Sequence, residues 1–219
     1  MAIQLSGLRW NLEEDNGALL ARAAKKLGIS PSSIQSYKLL RCSTDARKKD
    51  DIHFLATLQL CLENESQERK PLRQTVTGLT PFLPTEQVVQ PGRKVLEQRP
   101  VVVGSGPAGL FAAFLLAREG YCPIVVERGA PVEERQKDVV RLWEEGELDE
   151  ESNVQFGEGG AGTFSDGKLT SRSKDPRASF VLETFCEMGA PEDIAWTAKA
   201  HSGTDCLAGV LQRMRAYIQ

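Results

Sequence analysis

Residues 100–127 read PVVVGSGPAGLFAAFLLAREGYCPIVVE. Val101–Val103 is a short β-branched run, the pattern of a strand buried on both faces. Gly104, Gly106 and Gly109 follow at once. Residues 110–118 are rich in Ala and Leu and predict a helix, which Gly120 stops. Ile124–Val126 predicts a second strand, and Glu127 ends it. The stretch therefore reads as one strand–turn–helix–strand unit.

Each residue type in the turn has a physical reason to be there. Gly104 permits the tight turn off the strand, Gly106 lets the backbone approach a pyrophosphate, and Gly109 lets the helix pack close to the strand. Pro107 sits where the first helical residue loses nothing by lacking an N–H. The free N–H groups and the positive end of the helix dipole then face phosphate. The expected binding turn is thus Gly104, Ser105, Gly106, Pro107, Ala108 and Gly109. Glu127, with Arg128 beside it, lies about 20 residues on, where a carboxylate accepts hydrogen bonds from ribose hydroxyls. An acid there repels a 2′-phosphate, which argues against an NADP-type ligand at this turn.

A second stretch, residues 153–172, reads NVQFGEGGAGTFSDGKLTSR, with five glycines between Gly157 and Gly167. Ordering so many glycines is entropically unfavourable. Close approach of the backbone to a flat or phosphorylated ligand is one reading; a mobile connector is the other. The candidate residues are Gly159, Gly160, Ala161, Gly162, Thr163, Phe164, Ser165, Asp166, Gly167 and Lys168.

Around these stretches the chain is ordinary. Its 219 residues allow one or two domains, and 27 basic against 30 acidic residues give a net charge of −3. That balance offers no case for nucleic acid or an anionic membrane. No run approaches 18 apolar residues, and the amino terminus lacks a signal-peptide pattern, so the expected location is cytoplasmic. Five cysteines, at 42, 61, 122, 186 and 206, show no metal-ligand spacing and read as thiols, with a redox pair of Cys42 and Cys61 as the lesser alternative. No metal site is suggested.

In order, residues 2–10 predict a strand and residues 13–27 a helix ended by Gly28. Residues 33–42 and 52–62 predict two strands joined by the charged DARKKDD stretch. This makes a small α+β domain, β-α-β-β, over residues 1–63, whose charged hairpin reads as a solvated turn in preference to a docking surface. Residues 64–99 lose periodicity and carry several prolines, as a linker or wrapping segment does. Residues 100–219 then form the nucleotide-binding domain. In it, residues 132–146 predict an amphipathic helix on which Trp143 reads as a packing residue. Residues 178–188 predict another helix. A last helix from Thr204 carries Leu207, Val210, Leu211, Met214, Tyr217 and Ile218 on one face.

VVVGSGPAGLFAAFLLAREGYCPIVVERG resembles the FAD-binding fingerprint of the two-dinucleotide-binding-domain flavoproteins. NVQFGEGGAGTFSDGKL resembles the signature of the bacterial FAD-dependent dehydrogenases known as NAD(FAD)-utilizing dehydrogenases. The similarity extends through SYKLLRCSTDARKKDDIHF, GAPEDIAW and AHSGTD. It implies an α/β fold: a Rossmann-like FAD-binding domain, incomplete here, behind the small α+β domain. It implies that Gly104, Gly106 and Gly109 surround the FAD pyrophosphate, that Glu127 holds the adenosine ribose, and that residues 159–168 lie near the flavin. His201 departs from the pattern in its neighbours Ala200 and Ser202, which weakens any role for it. Enzymes of this kind are about twice as long, so the chain is expected to be their amino-terminal portion, with the apolar face of its last helix left exposed. The function implied is FAD-dependent oxidoreduction, with NAD(P)H as a candidate electron donor and an unknown substrate or acceptor. Alternatives are an NAD-binding dehydrogenase and a regulatory module without turnover.

Overall fold

The computed structural model describes residues 2–63, 76–83, 95–170, 175 and 177–219. The chain forms two compact units, Met1–Gln87 with Ala195–Ala200, and Val88–Ile194 with His201–Gln219.

The first unit is an antiparallel sheet under one helix. Strands β1 (Ala2–Trp10), β2 (Ile34–Asp45), β3 (His53–Leu62) and β4 (Leu79–Phe82) lie in the order β2-β3-β1-β4. Helix α1 (Asn16–Leu27) starts where the Asp15 carboxylate accepts the Ala18 N–H at 2.9 Å. It ends at Gly28, whose φ of +67° lets the next two N–H groups return to the last carbonyls. Period-2 alternation in β3 turns Ala56, Leu58, Leu60 and Leu62 to one face, where Ile3, Leu5 and Leu8 of β1 and Leu19, Ala23 and Leu27 of α1 close the core. Each such leucine contributes about 1.5–3 kcal/mol by leaving water.

This unit is larger than residues 1–63. The fourth strand falls inside the expected linker and pairs with β1 from Ala2↔Phe82 to Leu5↔Leu79. Residues 64–75 and 84–94 of that linker lie outside the described residues. Thr197 makes a parallel bridge to Cys42, with the Cys42 N–H on the Trp196 carbonyl at 2.7 Å, so residues far along the chain extend the β2 edge. All five cysteines are thiols. Cys42 stands opposite Ala56 and Cys61 opposite Ser36. That register separates them by five residues along β3, on the order of 17 Å, far beyond disulfide reach.

The second unit carries the parallel pair β5 (Val101–Val103) and β6 (Ile124–Val126), joined through helix α2 (Pro107–Arg118). Three further helices follow: α3 (Val132–Glu145), α4 (Arg177–Glu187) and α5 (Thr204–Ile218). Aromatic contacts tie α5 and α4 to α2, Phe114 with Tyr217 at 4.9 Å and Phe111 with Phe185 at 5.6 Å.

Three expectations are corrected here. Strand β5 is not buried on both faces: Val101 and Val103 are 59% and 83% exposed, and Ile124 and Val126 of its partner β6 are 41% and 51% exposed. In-register parallel pairing puts these four on one face, and among the described residues nothing covers it. The last helix exposes only the end of its apolar face, where Tyr217 is 49% exposed and Ile218 half-buried. Leu207, Val210, Leu211 and Met214 are buried, because α5 packs along α2, α3 and the 3-10 turn Ala161–Phe164. Trp143 does not pack; it is 66% exposed on α3. Among the described residues no helix is long and apolar enough to cross a membrane.

Candidate dinucleotide site

The turn between β5 and α2 has the geometry its glycines predict. Gly104 has φ +88°, a region that side-chain-bearing residues avoid. A Cβ on Gly109 would stand 1.9 Å from the Gly104 carbonyl oxygen, so only glycine lets the helix start there. A Cβ on Gly106 would meet nothing within 4 Å, which leaves the backbone open to an approaching group. Pro107 is the first residue of α2, and no side chain caps this amino terminus. Its first-turn N–H groups therefore remain available to an anion.

Glu127 turns back onto that loop. Its Oε2 accepts the Ser105 N–H at 2.6 Å and the Ser105 hydroxyl at 2.9 Å, and its Oε1 accepts the Gly129 N–H at 3.0 Å. Burial pushes the carboxyl up, but these donors outweigh it and hold Glu127 below the ordinary glutamate value. It is therefore an anion at neutral pH. A carboxylate offers about four acceptor positions. The Ser105 and Gly129 donors, with the Arg128 N–H beside them, already occupy most of these, so a ribose hydroxyl would have to displace or share one of them.

The second glycine stretch meets this turn only in part. The Gly159 N–H donates to the Ser105 carbonyl at 2.9 Å, and Gly160 faces Pro107 and Gly106. Gly160 has φ +65° and ψ −165°, a combination essentially confined to glycine. A cavity of about 460 Å3 lies between, lined by Val103, Gly104, Gly106 and Val126, by Glu127 and Arg128, and by residues 155–157 and Gly160. Of residues 159–168, only Gly160 reaches it.

The rest of that stretch holds itself together. Thr163 is buried against Arg135, and Phe164 lies under the Arg135 guanidinium at 4.8 Å. Ser165 donates to the Gly162 carbonyl, and Gly167 packs on Gly203. Lys168 pairs with Asp166 at 2.6 Å on the surface, which lowers the aspartate and raises the lysine from their ordinary values. Lys168 also bridges His201 through the backbone. Ala161 and Gly162 complete the 3-10 turn.

The residue that organises this loop is Arg135, a polar position in an amphipathic helix that sequence reading passes over. It is fully buried. Its guanidinium donates to the carbonyls of Asn153 at 2.8 Å, Glu158 at 2.6 Å and Val154 at 3.0 Å. Burial pulls its pKa down, and the charges of Glu127 and Glu158 oppose that. Glu158 is likewise buried, which pushes its carboxyl up. It accepts the Val132 N–H and the Arg215 guanidinium, each at 2.7 Å. Asn153 closes the loop by accepting the N–H groups of Gln155 and Phe156. The only signal for Asn153 and Glu158 in the sequence was their proximity to the glycines, and Arg135 had none.

Glu127 also borders a larger cavity of about 730 Å3, with Leu110, Val125, Ile218, Glu158 and Arg215 among its walls. No group of His, Cys, Asp and Glu suited to a metal ion occurs among the described residues.

Comparison with known proteins agrees with the turn geometry. Residues 102–132 match the NAD(P)-binding Rossmann-like domain family, and residues 2–61 match a domain of unknown function, DUF8436. An uncharacterized protein of Clostridium beijerinckii is 43% identical over 219 residues, covering all of this chain and 41% of that protein. The chain thus spans about two fifths of the length of the curated relative it matches. The match places a Rossmann-like dinucleotide-binding element at residues 102–132 of the second unit, and a nucleotide is the ligand class it points to.

Proposed function

We propose that the second unit binds FAD as part of an FAD-dependent oxidoreductase. The observation that carries this is the joint geometry of the glycine turn, the ionised Glu127 and the Gly157–Gly160 segment around one cavity. A simple dinucleotide turn accounts for the first two. The second glycine segment, braced by a buried arginine against the same turn, supports a cofactor whose backbone contacts continue past the pyrophosphate, as the flavoprotein resemblance implies.

In this reading the α2 amino terminus and the Gly104–Gly109 backbone hold the pyrophosphate, and Glu127 holds the adenosine ribose. Arg135 and Glu158 keep the glycine segment in register with the turn. Asp166 and Lys168, the charged pair of the Gly159–Lys168 loop, remain the candidates on the flavin side. Bound FAD supplies the ring that takes up and passes on an electron pair, while the protein binds, orients and excludes water. NAD(P)H is the proposed donor; the acceptor and the small-molecule substrate are properties of the whole protein.

A second reading, an NAD-binding dehydrogenase, is favoured by the family match at residues 102–132. The absorption spectrum of protein incubated with FAD and then desalted separates the two, since only flavin retained by the protein leaves a visible band in the protein fraction. Glu127→Gln is expected to weaken FAD binding by about 1.5–3 kcal/mol. FAD affinity equal to wild type in a folded variant would remove Glu127 from the site.

A further inference from the structure

The carboxyl-terminal end of α3 carries apolar side chains that the dinucleotide site does not use. Trp143 is 66% exposed there, with Val140 before it at 45% and Leu148 just beyond the helix at 60%. Val140 and Trp143 are three residues apart, so they share one side of the helix. A tryptophan is normally largely buried, and bare apolar residues grouped on one face mark a contact surface. The surroundings are acidic. Residues 143–151 hold Glu144, Glu145, Glu147, Asp149, Glu150 and Glu151 and no basic residue. Glu151 pairs with Arg128, but among the described residues no basic side chain pairs with Glu144, Glu145, Glu147 or Glu150. Arg141, the nearest basic residue in sequence, is already paired with Asp138. Glu144 and Glu145 also oppose the helix itself. The last turn of α3 has no basic residue, whereas α1, α2 and α5 have Lys or Arg in theirs. The carbonyl end of a helix is negative, so carboxylates there are unfavourable until a cation approaches.

We propose that this end of α3 is a docking surface for a basic amphipathic helix of a partner polypeptide. Charge complementarity selects that occupant. An arginine of the partner stacks on the Trp143 ring, its aliphatic residues cover Val140 and Leu148, and its other cations meet the unpaired carboxylates. The apolar anchor supplies most of the affinity, and the charges supply orientation and rate of encounter. The same acids repel an anionic lipid or nucleic-acid surface. A second copy of the chain has no such helix to offer among the described residues. Leu19, Ala23 and Leu27 of α1 are buried, as are Leu207, Val210, Leu211 and Met214 of α5. The surface is independent of the cofactor reading, since Val140, Trp143 and Leu148 border neither cavity at Glu127.

The test titrates the full 219-residue chain into a fluorescent leucine–arginine amphipathic helical peptide and follows anisotropy. A serine–arginine peptide of equal charge and neutral phosphatidylcholine vesicles are the comparisons. Wild type is expected to bind the leucine–arginine peptide, less tightly as salt rises, and the serine–arginine peptide about tenfold more weakly. Trp143→Ala is expected to weaken the leucine–arginine peptide about thirtyfold, the loss of a tryptophan anchor, and to change the serine–arginine peptide little. Glu144→Gln combined with Glu147→Gln is expected to weaken it roughly fivefold and to flatten the salt dependence. These positions are exposed, far-UV circular dichroism reports that the variants fold, and their FAD retention should equal that of wild type. Equal binding of the two peptides, unaffected by Trp143→Ala, would reduce the face to diffuse acidity and overturn the proposal. A wild-type dimer that Trp143→Ala makes monomeric in sedimentation would assign the face to a second copy. Vesicle binding lost in the same variant would assign it to a membrane, and either result overturns the partner helix.

Discussion

The two sheets among the described residues are stabilised differently. In the first unit, four antiparallel strands put one face on α1, and the leucines of β1 and β3 are almost wholly out of water. In the second, the parallel strands β5 and β6 leave four β-branched side chains exposed on one face. An antiparallel sheet is stable with one face wet, whereas parallel strands normally have both faces covered. The second unit's order around the site instead comes from polar groups: a buried arginine bound to three loop carbonyls, and glycines whose absent Cβ atoms allow backbone to touch backbone. One unit is a hydrophobic core with loops attached. The other places its most specific interactions in the loops that form the candidate site.

That contrast can be broken most forcefully at Arg135. Arg135→Met removes the guanidinium and strands the carbonyls of Asn153, Val154 and Glu158 in the interior, so it is expected to destabilise the second unit by about 3–5 kcal/mol. Hydrogen exchange should show lost protection in α2, β5 and β6, with β1 and β3 unaffected. Equal loss in both units would mean that they do not unfold separately.

A pair of aliphatic substitutions sharpens the comparison. Leu58→Ala, in the core of the first unit, is expected to lower that unit's stability by about 2–5 kcal/mol in denaturant titration. Val101→Thr, on the exposed face of β5, is expected to change stability by less than about 0.5 kcal/mol. Comparable effects at the two positions would show that the β5–β6 face is covered in solution.

The smallest effect expected is electrostatic and confined to the first unit. The Arg22 guanidinium, and then the Asn11 N–H, hold the Glu14 carboxyl at about 2, below its ordinary 4.5. A carboxyl depressed by folding contributes stability that is present above its unfolded value and is lost as pH falls through its folded value. Acid unfolding monitored on β1 and β3 should therefore include a component between pH 4.5 and 2 that disappears in Glu14→Gln. The second unit should titrate as in wild type.

The binding turn was legible in the sequence because its chemistry is local. Strand, glycines, Pro107, helix and Glu127 act within 28 consecutive residues, and each conformational demand is met by a residue type that few others can replace. Two helix ends were legible for the same reason, since Gly28 and Gly146 cap through their own neighbours, whereas the start of α1 was expected at residue 13 and is set by the Asp15 cap at Asn16. The first unit's hairpin and its alternation were legible because period 2 and a charged turn are read along one chain segment. Three things belonged to the tertiary structure alone. Arg135 looks like any charged residue on an amphipathic helix, and only folding brings carbonyls from residues 153–158 around it. β4 and the Thr197 bridge join the first sheet from distant parts of the chain, where no local period announces a strand. The exposure of Val101 and Val103 depends on which elements lie over the sheet, and a β-branched run looks the same in sequence whether it is covered or bare. Local backbone demands are set by residue type, while burial and long-range hydrogen bonding are set by which segments meet.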